Sequence, residues 1–181
     1  MIDLSAKTIL VTGASRGIGA ATTTALDAAG ARVVMTYSRS AAQAEAVAAA
    51  CSNDPVLVRA DLAQPGAASD LFDQVIAAVG SIDVVVNNAG IAPEAGIDSS
   101  DQEWAEAWHT TMQVNLFSLA DICRKAITHF VPKGEGTIIN IASRAAIRGD
   151  EPNMMHYAAS KGAVVALTRS IARGCGKDGI V

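Results

Sequence analysis

The chain has 181 residues, with 14 Lys+Arg against 18 Asp+Glu and a formal net charge of −4; half of it is hydrophobic, 18% charged and 4% aromatic. That is enough chain for one domain with its own core, and the apolar content excludes disorder. The mild acidity gives no footprint for nucleic acid or an anionic membrane surface, and no apolar run reaches the roughly 18 residues of a membrane span.

Five short β-branched runs follow one another: Thr8–Val11, Arg32–Thr36, Val56–Arg59, Ile82–Val86 and Thr137–Ile141. Their length favours strands, and their near-continuous Val/Ile content predicts burial on both faces, as in a parallel sheet. The stretches between them read as helices. Ile18, Ala21, Ala25, Leu26 and Ala29 recur at helical spacing before Gly30, and Ala41–Ala50 is helix-forming. Leu71, Val75, Ile76 and Val79 repeat the pattern before Gly80, and Ser100-Asp101-Gln102-Glu103 is a capping box opening the helix of Trp104 and Trp108. Met155–Arg173 is a further helix. Strand–helix alternation predicts an α/β fold, an open sheet with right-handed crossovers and helices on both faces. Cys51, Cys123 and Cys175 are scattered and odd in number, which predicts neither a disulfide framework nor a metal site, and Met1–Ser5 has no signal-peptide character. A cytoplasmic location is expected.

The first strand enters Thr12-Gly13-Ala14-Ser15-Arg16-Gly17-Ile18-Gly19. Glycines here let a ligand approach the backbone, and a helix N-terminus suits a pyrophosphate. The spacing G-x-x-x-G-x-G matches neither the G-x-G-x-x-G dinucleotide fingerprint nor a Walker A loop. Gly13–Gly17 also fits G-x-S-x-G, which would make Ser15 a hydrolase nucleophile. That reading leaves Gly19 unexplained and finds no earlier strand loop to complete an oxyanion hole.

After the second strand, where a carboxylate would select NAD, stands Thr36-Tyr37-Ser38-Arg39-Ser40. Arg39, with Arg16 opposite and the Ser38 hydroxyl, suits a 2′-phosphate, so NADP(H) is favoured over NAD(H). Tyr157 and Lys161 share a helix face. A tyrosine with an ordinary pKa of about 10 is a poor base near neutrality. An ammonium about 5 Å away, at an effective dielectric of about 20, supplies roughly 3 kcal/mol toward correcting that. Ser143 follows the last strand, at the sheet end where ligands bind, and Asn87-Asn88-Ala89-Gly90 follows the fourth, fixing a turn or a ligand.

Together, Thr12-Gly13-x-x-x-Gly17-x-Gly19, Asp61, Asn87-Asn88-Ala89-Gly90, Asn115, Ser143 and Tyr157-x-x-x-Lys161 resemble the short-chain dehydrogenase/reductase family. Within it, the first turn and Tyr37-Ser38-Arg39 look most like 3-oxoacyl-acyl-carrier-protein reductases and their relatives. The resemblance implies a Rossmann-like doubly wound parallel sheet forming a single NAD(P)-binding domain over residues 1–181. It implies hydride transfer between NADP(H) and a small-molecule carbonyl or alcohol. Tyr157 would be the acid/base, tuned by Lys161, which also holds the nicotinamide ribose. Ser143 would orient the carbonyl, and Asn115, on the Trp104 helix, would hold a proton-relaying water. Asp61 and Leu62 would flank the adenine. Asn88, Ala89 and Gly90 would line the middle of the cofactor, whose phosphates would meet Gly13, Ser15, Arg16, Gly17, Ile18 and Gly19. A homodimer or homotetramer is expected. His156 is expected to be exposed, and Arg144 and Arg148 to be solvated.

Against the family pattern, five strands are expected here and the last two of the fold are not, which would leave the Thr137–Ile141 strand as an edge. The alternative function is therefore a non-catalytic cofactor-binding or dimerising remnant.

Overall fold

The computed structural model describes residues 2–181. Five strands form one parallel sheet: β1 (Thr8–Val11), β2 (Arg32–Tyr37), β3 (Val56–Arg59), β4 (Val84–Asn87) and β5 (Thr137–Asn140), in the order β3-β2-β1-β4-β5. Order reverses at β1, whose two sides pair with β2 and β4, so the crevice of a doubly wound sheet opens beyond its carboxyl end. Three strands differ from expectation at one or both ends, by one or two residues. The largest shift is at β4, because Asp83 is already spent on Thr8: its amide donates to the Thr8 carbonyl and its Oδ2 accepts from the Thr8 amide.

Successive side chains of each strand point to opposite faces, and along β1, β2 and β4 both faces are buried. On one face Leu10, Val34 and Val85 pack with Leu71, Phe72 and Val75 of α3 (Ala67–Val79). The same cluster takes in Ile122, Ala126 and Phe130 of α5 (Ser118–Phe130). On the other, Ile9, Val11, Val33, Met35 and Val86 pack with Leu26 of α1 (Gly17–Ala28) and Val47 of α2 (Ala41–Ala49). α7 (Met155–Cys175) lies with α5, sharing Leu119, Cys123 and Val164. The α1/α2 layer does not cover β5: Ile138 joins the α3/α5 cluster, whereas Ile139, facing the other way, is 45% exposed. Ile180 and Val181 run parallel to the start of β5, the Ile138 amide donating to the Val181 carbonyl at 2.8 Å.

α4 (Asp101–Met112) opens with the expected capping box, Ser100 Oγ accepting from the Glu103 amide. Asn115 is not on that helix. Residues Gln113–Phe117 form a π-helical turn between α4 and α5, and Asn115 sits in its middle. Such wide turns insert one extra residue per turn and re-aim side chains, and they carry no compositional signature. A short helix, α6 (Ala145–Arg148), separates β5 from α7.

Candidate active site

The turns after the strands converge on a cleft of about 910 Å³. At its floor the β1–α1 turn approaches the β4 turn closely. Gly13 has φ +64°, and a methyl there would lie 2.9 Å from Ala89 Cα. A methyl on Gly19 would run into the Gly13 carbonyl and the Asn88 amide. Polar groups lock this contact. Thr12 Oγ1 accepts from the Asn88 and Ala89 amides, each at 3.0 Å. Asn88 Nδ2 donates to the carbonyls of Thr12 (2.9 Å) and Gly13 (3.1 Å). The Gly13 amide donates to Thr36 Oγ1 at 3.3 Å, a role for Thr36 with no signal in the sequence. Asn88 thus fixes the turn, and Asn87, buried, donates to Asn140 Oδ1 on β5 at 2.9 Å.

The N-terminus of α1 has no side-chain cap and no acidic residue in its first turn. Its first amides are therefore available to an anion, and no carboxylate of that turn repels one. Gly13, Ser15, Arg16, Gly17 and Ile18 line the cleft from this side. Ser38 and Arg39 line it beyond β2, Asp61 and Leu62 beyond β3, and Asn88, Ala89 and Gly90 beyond β4. Gly19 lies beneath it, buried, as a packing residue. Arg59 Nε donates to the Ser38 carbonyl at 3.1 Å and so holds the β2 turn. Among the described residues Ser15 has no histidine partner: His129 bonds Ser81 and the Ile82 amide, His156 bonds Pro93, and His109, on α4, makes no hydrogen bond to Ser15. The nucleophile–base contact of a hydrolase is not formed.

Ser143, Tyr157 and Lys161 stand at the carboxyl end of β5 and on the first turns of α7, outside the lining of the cleft but joined to it through Gly90. A methyl on Gly90 would sit 3.4 Å from Asn115 Oδ1 and 3.6 Å from Lys161 Nζ, so the two side chains flank it. Lys161 is 4% exposed; its Nζ donates to the Ile141 carbonyl at 2.8 Å and lies 6.0 Å from the centre of the Tyr157 ring. Burial pushes the Lys161 pKa down. Ser143 Oγ accepts from the Ala145 amide at 3.1 Å, leaving its own hydrogen to donate.

Asn115 is wholly buried and heavily engaged: Oδ1 accepts from the Ile91 amide (2.8 Å), and Nδ2 donates to the Ile91 carbonyl (2.9 Å) and to Ser160 Oγ (3.1 Å). Ser160 in turn donates to the Tyr157 carbonyl at 2.7 Å. Ser160 escapes sequence reasoning because a serine inside Y-x-x-x-K reads as filler. His156 overturns its expectation. It is 0% exposed, since the first turn of α7 presents it inward against Trp108, 6.0 Å away between ring centres. Arg144 and Arg148 are exposed, as expected.

No described helix is long and apolar enough to cross a membrane. The family model of the short chain dehydrogenases matches residues 7–181. A 3-oxoacyl-[acyl-carrier-protein] reductase of Synechocystis sp. is 35% identical, over 99% of this chain and 72% of its own length. A 2,5-dichloro-2,5-cyclohexadiene-1,4-diol dehydrogenase of Sphingobium indicum is 38% identical, over 99% of this chain and 71% of its own length. The crystal structure of a short chain dehydrogenase from Burkholderia cenocepacia J2315 in complex with NADP superposes with a TM-score of 0.90 at 37% identity. It covers 100% of this chain and 73% of that one. Motif, sheet order and relatives agree: the chain belongs to the short-chain dehydrogenases and is an oxidoreductase.

Proposed function

We propose that the protein transfers a hydride between NADP(H) and a small carbonyl or alcohol substrate, with Tyr157 as the acid/base. The observation that carries this reading is the buried Lys161 ammonium on the face of α7 that bears Tyr157, set beside Gly90 where the cleft ends. The cleft fits a dinucleotide. Its floor is a glycine cradle that a single Cβ would fill, the α1 amides above it are uncapped, and Arg16 and Arg39 line its outer end. The β2 end offers Ser38 and Arg39 and no carboxylate, which favours a 2′-phosphate over a bare ribose hydroxyl. The similar Burkholderia chain was solved with NADP.

When bound, the nicotinamide supplies or accepts the hydride. In reduction, the Tyr157 hydroxyl gives its proton to the carbonyl oxygen of the substrate. The Lys161 ammonium stabilises the charge left on the tyrosine oxygen; one of its three hydrogens is spent on the Ile141 carbonyl, and the other two would hold the ribose. The Ser143 hydrogen points the substrate oxygen and stabilises negative charge developing there. Asn115 holds Ile91 and Ser160, and its second Oδ1 lone pair is what remains for a proton-relaying water. Assembly as a homodimer or homotetramer belongs to the same proposal; Phe117, 52% exposed between α4 and α5, is an apolar group suited to a partner surface.

The test is Tyr157→Phe, assayed with NADPH and NADH against a panel of ketones and 3-oxoacyl thioesters. Removing a positioned general acid lowers turnover by about 10³-fold. Cofactor affinity is expected to stay within about twofold, with NADPH the better donor. Equal turnover in mutant and wild type contradicts the assignment of Tyr157.

A further inference from the structure

We propose that His156 is a positioning residue that latches one wall of the cleft to the helix carrying Tyr157 and Lys161. The inference rests on the reading of the cleft as a cofactor site. His156 Nε2 lies 2.6 Å from the Pro93 carbonyl oxygen. A carbonyl can only accept, so Nε2 carries the hydrogen and the imidazole is the donor. The ring is 0% exposed and packs on Trp108 of α4, which fixes its plane.

Pro93 belongs to the segment between β4 and α4 that walls the cleft opposite the glycine turn, where Ile91, Pro93 and Glu94 face the ligand space. The segment forms no helix or strand, so its shape depends on what holds its backbone. Four bonds do so, at three residues spaced two apart. Asn115 takes both backbone groups of Ile91, His156 takes the Pro93 carbonyl, and the Asn153 carbonyl takes the Ala95 amide at 3.0 Å. Proline has no N–H, so the Pro93 carbonyl is the one backbone group through which that residue can be held. His156 is the adjacent residue to Tyr157. One bond therefore ties the cofactor wall and the acid/base to a single rigid turn of α7, and Ser160 and Asn115 close the loop from the other side.

The test compares wild type with His156→Gln and His156→Asn. A Gln amide nitrogen reaches where Nε2 stands; an Asn amide stops where Nδ1 stands, short of Pro93. Leaving the Pro93 carbonyl unpaired is expected to weaken NADPH binding, followed by fluorescence titration, by about tenfold in His156→Asn. Amide exchange across Ile91–Ala95 should quicken while β1–β3 exchange at the wild-type rate. His156→Gln should stay within about threefold of wild type in both readouts. A third measurement needs no variant: nitrogen NMR of labelled histidine in the folded wild type should find the hydrogen on Nε2. The latch is overturned if His156→Asn matches wild type, if His156→Gln loses as much as His156→Asn, or if the hydrogen resides on Nδ1 alone. Failure of wild type to bind NADPH contradicts the cofactor reading instead, and the exchange comparison then still decides the latch.

Discussion

The two ends of the cleft are built in opposite ways. The β1–α1 end is made by leaving side chains out: Gly13 and Gly19 admit neighbouring backbone where a methyl would collide, and the α1 amides are left without a cap. The α7 end is made by putting polar side chains in. Asn115, His156, Ser160 and Lys161 are all buried, and each spends hydrogen bonds on backbone or on another of the set. A pyrophosphate is bound by backbone amides that need access, whereas a proton donor must be held at one position and tuned by one charge. The contrast also separates two helix starts. α4 is sealed by the Ser100–Glu103 box with Asp101 and Glu103 in its first turn, so it repels an anion, whereas α1 leaves its first amides open.

This contrast can be broken from either end. The larger effect is expected at the glycine end. Gly19→Ala pushes a methyl into the Gly13 carbonyl and into the Asn88 side-chain amide, which donates to the carbonyls of Gly13 and Thr12. Overpacking of this kind costs about 1–3 kcal/mol, and displaced backbone no longer fits the phosphates. NADPH affinity should fall by roughly a hundredfold, measured by titration calorimetry, with the melting temperature lowered as well. Wild-type affinity in this variant would mean that the glycine turn is not the cradle.

The smaller effect sharpens the other end. Lys161 has its pKa lowered by burial, so in the window between its folded value and the ordinary 10.5 the unfolded chain binds more protons than the folded one. Stability conferred by this group therefore rises with pH through that window and is level below it. Replacing it by methionine removes the gain. Denaturant unfolding of wild type and Lys161→Met across the alkaline range should give a difference that grows in favour of wild type as pH rises. The slope is the readout, because the offset also contains the lost bond to Ile141. A flat difference would mean that Lys161 is not desolvated.

The sheet was legible because its strands are short and β-branched, with the central ones buried on both faces, and the glycine turn because glycines at fixed spacing have few other uses. The Tyr157–Lys161 pair was legible from helical spacing. The support behind it was not. The π-turn around Asn115 depends on how α4 meets α5 and leaves no mark in composition. His156 reads as a surface histidine until α7 is rotated against Trp108, and only the fold brings Pro93, some sixty positions earlier, to its Nε2. Partner choice across such sequence distances is tertiary information. Local patterns name the elements and leave the long-range bonds open.

The proposed reaction is direct hydride transfer between the cofactor and a substrate carbonyl, with Tyr157 supplying the proton. The most direct measurement uses NADPH carrying deuterium at the transferable position, with a ketone that the wild-type protein reduces, and mass analysis of the alcohol formed. One deuterium on the carbinol carbon, and none when the label is placed in the solvent instead, is the predicted result. Label on that carbon from solvent, or oxidation of NADPH on none of the ketones and thioesters tested, would contradict it.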